Sequence, residues 1–265
     1  MTAITELPRT WPTDRAKKER FLASLSREAL SHPALNHPWL ATIANSGFGD
    51  MHWALRDFAR EYYGYSRDFP SYLRAVIDRL ESPLHQELLG RNLEEEQGDL
   101  DDADREALRQ IGIDPTTVDG VSHPQLFRRF CRAIGVSTPE LQTSSDAALR
   151  WRERFSRFLN NATPAAAVGA LGMGTEEIVK HIYQPMLAGI RGLGLKREDY
   201  VFFELHCLVD DQHALDLRNV ATDLLRDGQN CNEMRLGMKE ALNLRNEFWD
   251  HLHRRANSVL RMASA

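Results

Sequence analysis

Apolar positions recur at three- and four-residue spacings from about Asp14 to Met262, and strand-like alternation bounded by tight hairpin turns is nearly absent. The pattern predicts an all-α protein. It places helices near Asp14–Ser31, Gly49–Leu80 with an interruption at Pro70, Pro83–Gln97, Asp101–Ile111, Pro124–Ile134, Pro139–Asn160, Thr163–Leu193, Arg197–Asp227 and Cys231–Arg261. Punctuation agrees with these limits. Ser82-Pro83, Ser122-His123-Pro124, Ser137-Thr138-Pro139 and Thr163-Pro164 each set a capping side chain ahead of a proline, whose fixed φ and missing N–H suit a first helical turn. No Pro/Gly/Ser-rich linker, internal repeat or low-complexity tract divides the chain, so residues 1–265 read as one domain.

Composition narrows the function classes. At 265 residues, 42% hydrophobic and 27% charged, the chain can bury an ample core and fits neither disorder nor a membrane span. Its 33 Lys and Arg are scattered among 38 acids for a net charge of −5, which offers nucleic acid no basic surface. Neither nucleic acid nor membrane is expected as a partner. Cys131, Cys207 and Cys231 lie too far apart for a disulfide framework or a Cys-x-x-Cys zinc site. Met1 to Arg20 is polar, interrupted by Pro8 and Pro12, and lacks the apolar centre of a signal peptide. A reducing, cytoplasmic location is the expectation.

Candidate chemistry concentrates in Val201–His213, where His206, Asp210 and His213 stand at i, i+4 and i+7 within an apolar, helix-like run. At about 100° per residue the three side chains fall within roughly a 60° arc. Two imidazoles and one carboxylate on one stripe suit a borderline first-row metal, which needs further ligands from facing helices. Asn92-Leu93-Glu94-Glu95-Glu96-Gln97-Gly98 sets acids at a helix C-terminus, where the dipole disfavours them unless a cation is near; the alternative is a solvated helix end. Gly172-Met173-Gly174-Thr175-Glu176-Glu177-Ile178-Val179 sets acids among small and apolar residues, a more buried context. His123 stands at a helix entry, Ser122-His123-Pro124-Gln125-Leu126-Phe127, where a surface histidine is the ordinary reading.

Together these segments resemble the haem-oxygenase-like diiron oxidases and oxygenases, related in fold to pyrroloquinoline quinone synthase and thiaminase-like proteins. The resemblance spans roughly Tyr62 to Leu217 and rests on Asn92…Glu96-Gln97-Gly98, His123-Pro124-Gln125-Leu126-Phe127, Gly174-Thr175-Glu176 and His206…Asp210…His213. It implies a helical bundle of about seven core helices, with extra N-terminal and inserted helices. It also implies a ligand set of Glu96, His123, Glu176, His206, Asp210 and His213 holding two Fe(II) ions, with O2 as co-substrate. Glu95 could replace or join Glu96, and Glu177 could replace Glu176. The chain departs from the family pattern between Asp99 and Ser122, where an insertion carrying the helix Asp101–Ile111 is expected to shape a substrate entrance.

Imidazole plus carboxylate suits iron or manganese, while scattered Cys argues against structural zinc and the imidazoles argue against an all-oxygen site. A ferritin-like centre would show Glu-x-x-His pairs, and no His here follows a Glu by three residues. The resemblance implies an O2-activating non-haem diiron oxidoreductase acting on a small amine or amino-acid-derived metabolite, with N-oxygenation in natural-product biosynthesis ranked first. Oxidative C–C cleavage of an amino acid or fatty acid is the alternative outcome. A metal-free oxidase or thiaminase-like enzyme on the same fold, and a non-catalytic interaction protein, are the rivals. An external electron donor and a homodimer are compatible with the reading. Three other groups read as structural: Phe58, Tyr62, Tyr63, Tyr65 and Phe69 as core, His251 and His253 beside Asp250 as a solvated face, and His181 as a partly exposed helix residue.

Overall fold

A computed structural model describes residues 14–208 and 210–263, without the side chains of 208, 210–212 and 259–263. Among the described residues there is no strand. The N-terminal part contains α1 (Arg15–Leu30), α2 (Pro38–Ala44), α3 (Met51–Ser66), α4 (Phe69–Ile77), α5 (Pro83–Glu96) and α6 (Asp102–Gln110). After a 3₁₀ turn come α7 (His123–Ala133), α8 (Thr138–Gln142), α9 (Asp146–Asn161) and α10 (Pro164–Val168). The chain finishes with α11 (Val179–Arg191), α12 (Val201–Leu208), α13 (Asp210–Leu224) and α14 (Gly228–Ala263). None of the described helices is long and apolar enough to cross a membrane.

The expected caps are in place. Ser82 accepts from the His85 N–H, Ser122 and Gln125 form a capping box, and Thr163 accepts from the Ala166 N–H. Several boundaries differ from the periodicity. Pro70 stands in the first turn of α4, where it needs no donor, so the break falls ahead of it at Arg67–Asp68. Pro139–Asn160 divides into α8 and α9, and the short α2, capped by His37, lies where periodicity gives no helix.

The largest departure falls within Thr163–Leu193, expected as one helix. Here α10 passes into a π-helical turn over Gly169–Met173, then a 3₁₀ turn over Glu176–Ile178, and only then into α11. The cause is packing against α14. A Cβ at Gly169 would run into the Met234 carbonyl, and one at Gly237 into the Ala166 carbonyl, so two backbones meet where only glycine fits. Carrying the chain past this contact widens the helix. The turn then tightens through Thr175 (φ −134°, ψ −68°), whose hydroxyl donates to the Ala170 carbonyl at 3.0 Å. Its consequence is to turn Glu176 inward.

Aromatic side chains fill the interior beside this segment. Tyr65 stacks on Trp151 with centroids 3.8 Å apart, Trp39 stacks on Trp249 at 5.2 Å, and Phe58 packs on Tyr62 at 5.0 Å. Each such ring withdraws enough apolar surface from water to contribute about 1.5–3 kcal/mol. Phe58, Tyr62 and Tyr65 are therefore core as expected, with Tyr63 and Phe69 half-buried against it, and Tyr62, Tyr65 and Phe69 also line a cavity. His181 is exposed, while His251 and His253 are half-buried rather than solvated; the His251 Nε2 lies 4.0 Å from the buried Glu61 carboxylate.

Candidate metal centre

Glu96 is the last residue of α5, and the chain leaves the helix through Gln97 and Gly98, whose φ of +105° favours glycine. The Gly98 carbonyl accepts from the Gly120 N–H at 2.9 Å, and a Cβ at Gly98 would sit 2.7 Å from the Val121 nitrogen. This clamp closes the inserted segment, including α6, into a loop with adjoining ends. Glu96 at the end of α5 thus meets His123 at the start of α7. The two side chains, 2% and 6% exposed, hold His123 Nδ1 and Glu96 Oε1 2.9 Å apart. Their alignment is not that of a hydrogen bond, and Nδ1 has no hydrogen-bond partner.

His206 arrives from α12. Its Nδ1 lies 2.7 Å from the Phe202 carbonyl, which can only accept, so Nδ1 carries the proton and Nε2 keeps a free lone pair. Its ring packs 4.6 Å from that of His123 and 4.1 Å from that of Phe202. Metal-ligating imidazoles are oriented by this kind of contact. On α13, buried His213 pairs its Nε2 with Glu95 Oε2 at 2.6 Å.

Two triads result. Donor atoms of Glu96, His123 and His206 all lie within 4.8 Å of one another, as do those of Glu96, Glu176 and His213, and every member is buried. Glu96 belongs to both. Of the sequence candidates, then, Glu96, His123, Glu176, His206 and His213 converge, and the Asp210 side chain lies outside the described residues. Glu95 joins through His213. Glu177 does not enter the cluster: its carboxylate lies 3.8 Å from Arg218 and is 23% exposed.

The electrostatics separate the triads. Burial opposes ionisation of Glu96, but the charges of His123, then His206 and His213, hold its carboxyl down at about 2. Burial, with His123 close by, pushes His206 down to about 3. Burial would also depress His213, yet the bond to Glu95 and the charges of Glu176 and Glu96 lift it to about 9. Burial raises Glu176 to about 7, against the pull of His213. Asp104 on α6 is raised by burial and by the charge of Glu95, which places the inserted helix beside the acidic triad.

The donor set fits a pair of first-row metal ions. It combines imidazole and carboxylate without thiolate, and the lone pair of His206 Nε2 is a group that a cation would satisfy.

Beside the cluster lies a partly enclosed cavity, walled by Tyr62, Tyr65, Phe127, Tyr183 and Phe202 as well as by the ligand candidates. The Tyr62 and Tyr183 hydroxyls meet at 2.9 Å. Arg245 of α14 also lines it and was not singled out by the sequence reading. The signal was there: Met238, Ala241, Leu242, Phe248, Trp249 and Leu252 form a buried stripe, with Arg245 as the cation in its middle.

Comparison with known proteins shows the fold and the family. The structure superposes on a domain of unknown function with a haem-oxygenase-like fold from Shewanella denitrificans, covering 96% of this chain and 97% of that one (TM-score 0.68, 15% identity). It also matches a CADD-like protein of unknown function from Nostoc punctiforme, over 92% of this chain and 97% of that one (TM-score 0.70, 13% identity). The architecture is therefore an all-α, haem-oxygenase-like bundle. In sequence the chain is 27% identical over 212 residues to a 4-aminobenzoate synthase of Chlamydia pneumoniae, covering 77% of this chain and 82% of the relative. A 4-aminobenzoate synthase of Chlamydia trachomatis serovar D is 27% identical over 177 residues, 65% of this chain and 68% of that protein. Residues 56–246 match the family model described as iron-containing redox enzyme, and the chain belongs to that family.

Proposed function

We propose that this protein is an O2-dependent, non-haem diiron oxidase or oxygenase acting on a small amine or amino-acid-derived metabolite. The observation that carries the reading is the pair of buried triads sharing Glu96. One ion would be held by Glu96, His123 and His206, the other by Glu96, Glu176 and His213, with Asp210 from the sequence motif completing the set. Membership of an iron-containing redox family supports iron as the metal. The relatives named 4-aminobenzoate synthase favour nitrogen-bearing chemistry over fatty-acid cleavage.

When bound, a ferrous pair supplies electrons to O2. The residues themselves do the rest. The Phe202 carbonyl fixes the His206 tautomer, and the Glu95 carboxylate holds the His213 ring. Tyr62, Tyr183, Phe127 and Phe202 form an aromatic wall that keeps bulk water from the substrate side. His213 holds a proton at neutral pH and Glu176, raised to about 7, is half protonated there; these protons would have to leave for a cation to bind.

N-oxygenation is the leading outcome and oxidative C–C cleavage the alternative, with an external donor supplying electrons where turnover requires them. Anaerobic titration with Fe(II), followed by oxygen uptake with and without a panel of amines and amino acids, tests the reading. Two irons per chain and amine-dependent oxygen uptake are expected, and product masses separate added oxygen from a lost carbon fragment. Absence of iron binding would end it.

A further inference from the structure

Arg245 is 1% exposed, yet no described carboxylate lies within ion-pair distance of its guanidinium. Its Nε and Nη1 have no hydrogen-bond acceptor. Its nearest surroundings are aromatic: the guanidinium carbon is 5.2 Å from the Trp151 ring centre and 5.9 Å from that of Tyr65, the Tyr62 phenol bonds to it, and the Glu176 carboxyl feels its charge from beyond ion-pair distance. Ring faces partly compensate a buried cation, but they do not satisfy a planar fork of N–H donors. A guanidinium so placed calls for an anion, and the fork is shaped for a carboxylate.

The same residue lines the cavity whose other wall is Glu96, His123, Glu176 and His206. Among the described residues the acids that line this cavity, Glu96 and Glu176, are both members of the cluster, so no other described carboxylate there offers a seat to a substrate ammonium. Apart from Arg245, the cluster residues, Ser66 and Thr175, the lining is aromatic and aliphatic. A ligand matching these walls is anionic at one end and apolar along its body.

We propose that Arg245 anchors a substrate carboxylate, so that the cavity selects a small carboxylic acid with an apolar or aromatic body and turns its far end toward the cluster. Arg245 is thus a binding residue that sets substrate class and orientation. Which end of the acid reacts rests on the diiron reading above; the binding itself does not.

The test is calorimetric binding of benzoate and hexanoate against their neutral amides, benzamide and hexanamide, to the full chain after chelation of metal. Wild-type protein should bind at least one acid about tenfold more tightly than its amide, the factor that a charge-assisted pair supplies. Arg245→Met should erase that preference while leaving amide binding and Fe(II) uptake unchanged. Arg245→Lys, which keeps the charge but not the fork, should retain only part of it, and it decides the matter if Arg245→Met fails to fold. An acid preference undiminished in either folded variant, or no acid preference in wild type, overturns the proposal. Wild type that binds acids but no iron would instead refute the diiron reading and leave Arg245 standing.

Discussion

The two halves of the cluster share Glu96 but solve the problem of buried charge in opposite ways. In the half built from His123 and His206, Glu96 and His206 are already in the protonation states a metal requires. Glu96 is ionised down to about pH 2 and His206 stays neutral down to about pH 3, its tautomer fixed by the Phe202 carbonyl. In the half built from Glu176 and His213, protons stand where a cation would. His213 is held up at about 9 by its bond to Glu95, and Glu176 at about 7 by burial. Like charges packed together without a counter-ion either keep protons or acquire a metal. The first half is prepared for a cation, whereas the second must be discharged of protons before it takes one.

Removing one imidazole from each half should break this asymmetry most visibly. His206→Ala should abolish the tighter iron and oxygen-dependent turnover, roughly a thousandfold or more, because the ligand and its oriented lone pair go together. His213→Ala should also silence turnover yet leave one tight iron, read by metal analysis after gel filtration. Equal loss of both irons in His213→Ala would contradict independent halves.

Next in size is the dependence on pH. Second-site affinity should rise by up to about tenfold per pH unit for each proton displaced, from pH 6 through the values near 7 and 9, while first-site affinity stays nearly flat. Titrations of Fe(II) across that range check it. The stability of metal-free protein carries the opposite sign. A His213 raised from 6.5 to about 9 contributes stability that is fully present below pH 6.5 and is lost as pH rises through 9. Melting temperature without metal should therefore fall between pH 7 and 9, and much less with iron bound.

Smaller still is Glu95→Gln, which frees the His213 ring and should weaken the second site alone by about 10–100-fold. Glu177→Gln is the control. Its carboxylate faces Arg218 across 3.8 Å, so iron content should be unchanged and stability altered by less than about 1 kcal/mol.

What the sequence made legible follows the same division. His206 and His213 could be read from helical spacing and an apolar context, and the helical class from periodicity, because both depend on local geometry. Glu96 with His123 could be reached only through the family pattern, since the contact between them depends on the clamp from Gly98 to Gly120 that folds an inserted segment out of the way. The π-helical turn was invisible to periodicity because its cause is a backbone contact with α14, far along the chain. In the 3₁₀ turn that follows, Glu176 is buried and Glu177 is not. Arg245 was missed for a different reason: a cation in an apolar stripe is visible in sequence, but that two of its buried nitrogens lack an acceptor is a fact of three dimensions.

The central claim is that one carboxylate serves two cations. Iron content of Glu96→Ala and Glu176→Ala, loaded anaerobically at pH 8 and measured beside wild type, tests it most directly. Loss of a shared ligand should take iron from both sites, so Glu96→Ala should fall from two irons per chain to none held tightly, whereas Glu176→Ala should fall from two to one. If folded Glu96→Ala keeps one tightly bound iron, as Glu176→Ala does, Glu96 serves a single ion and the shared-carboxylate centre is wrong.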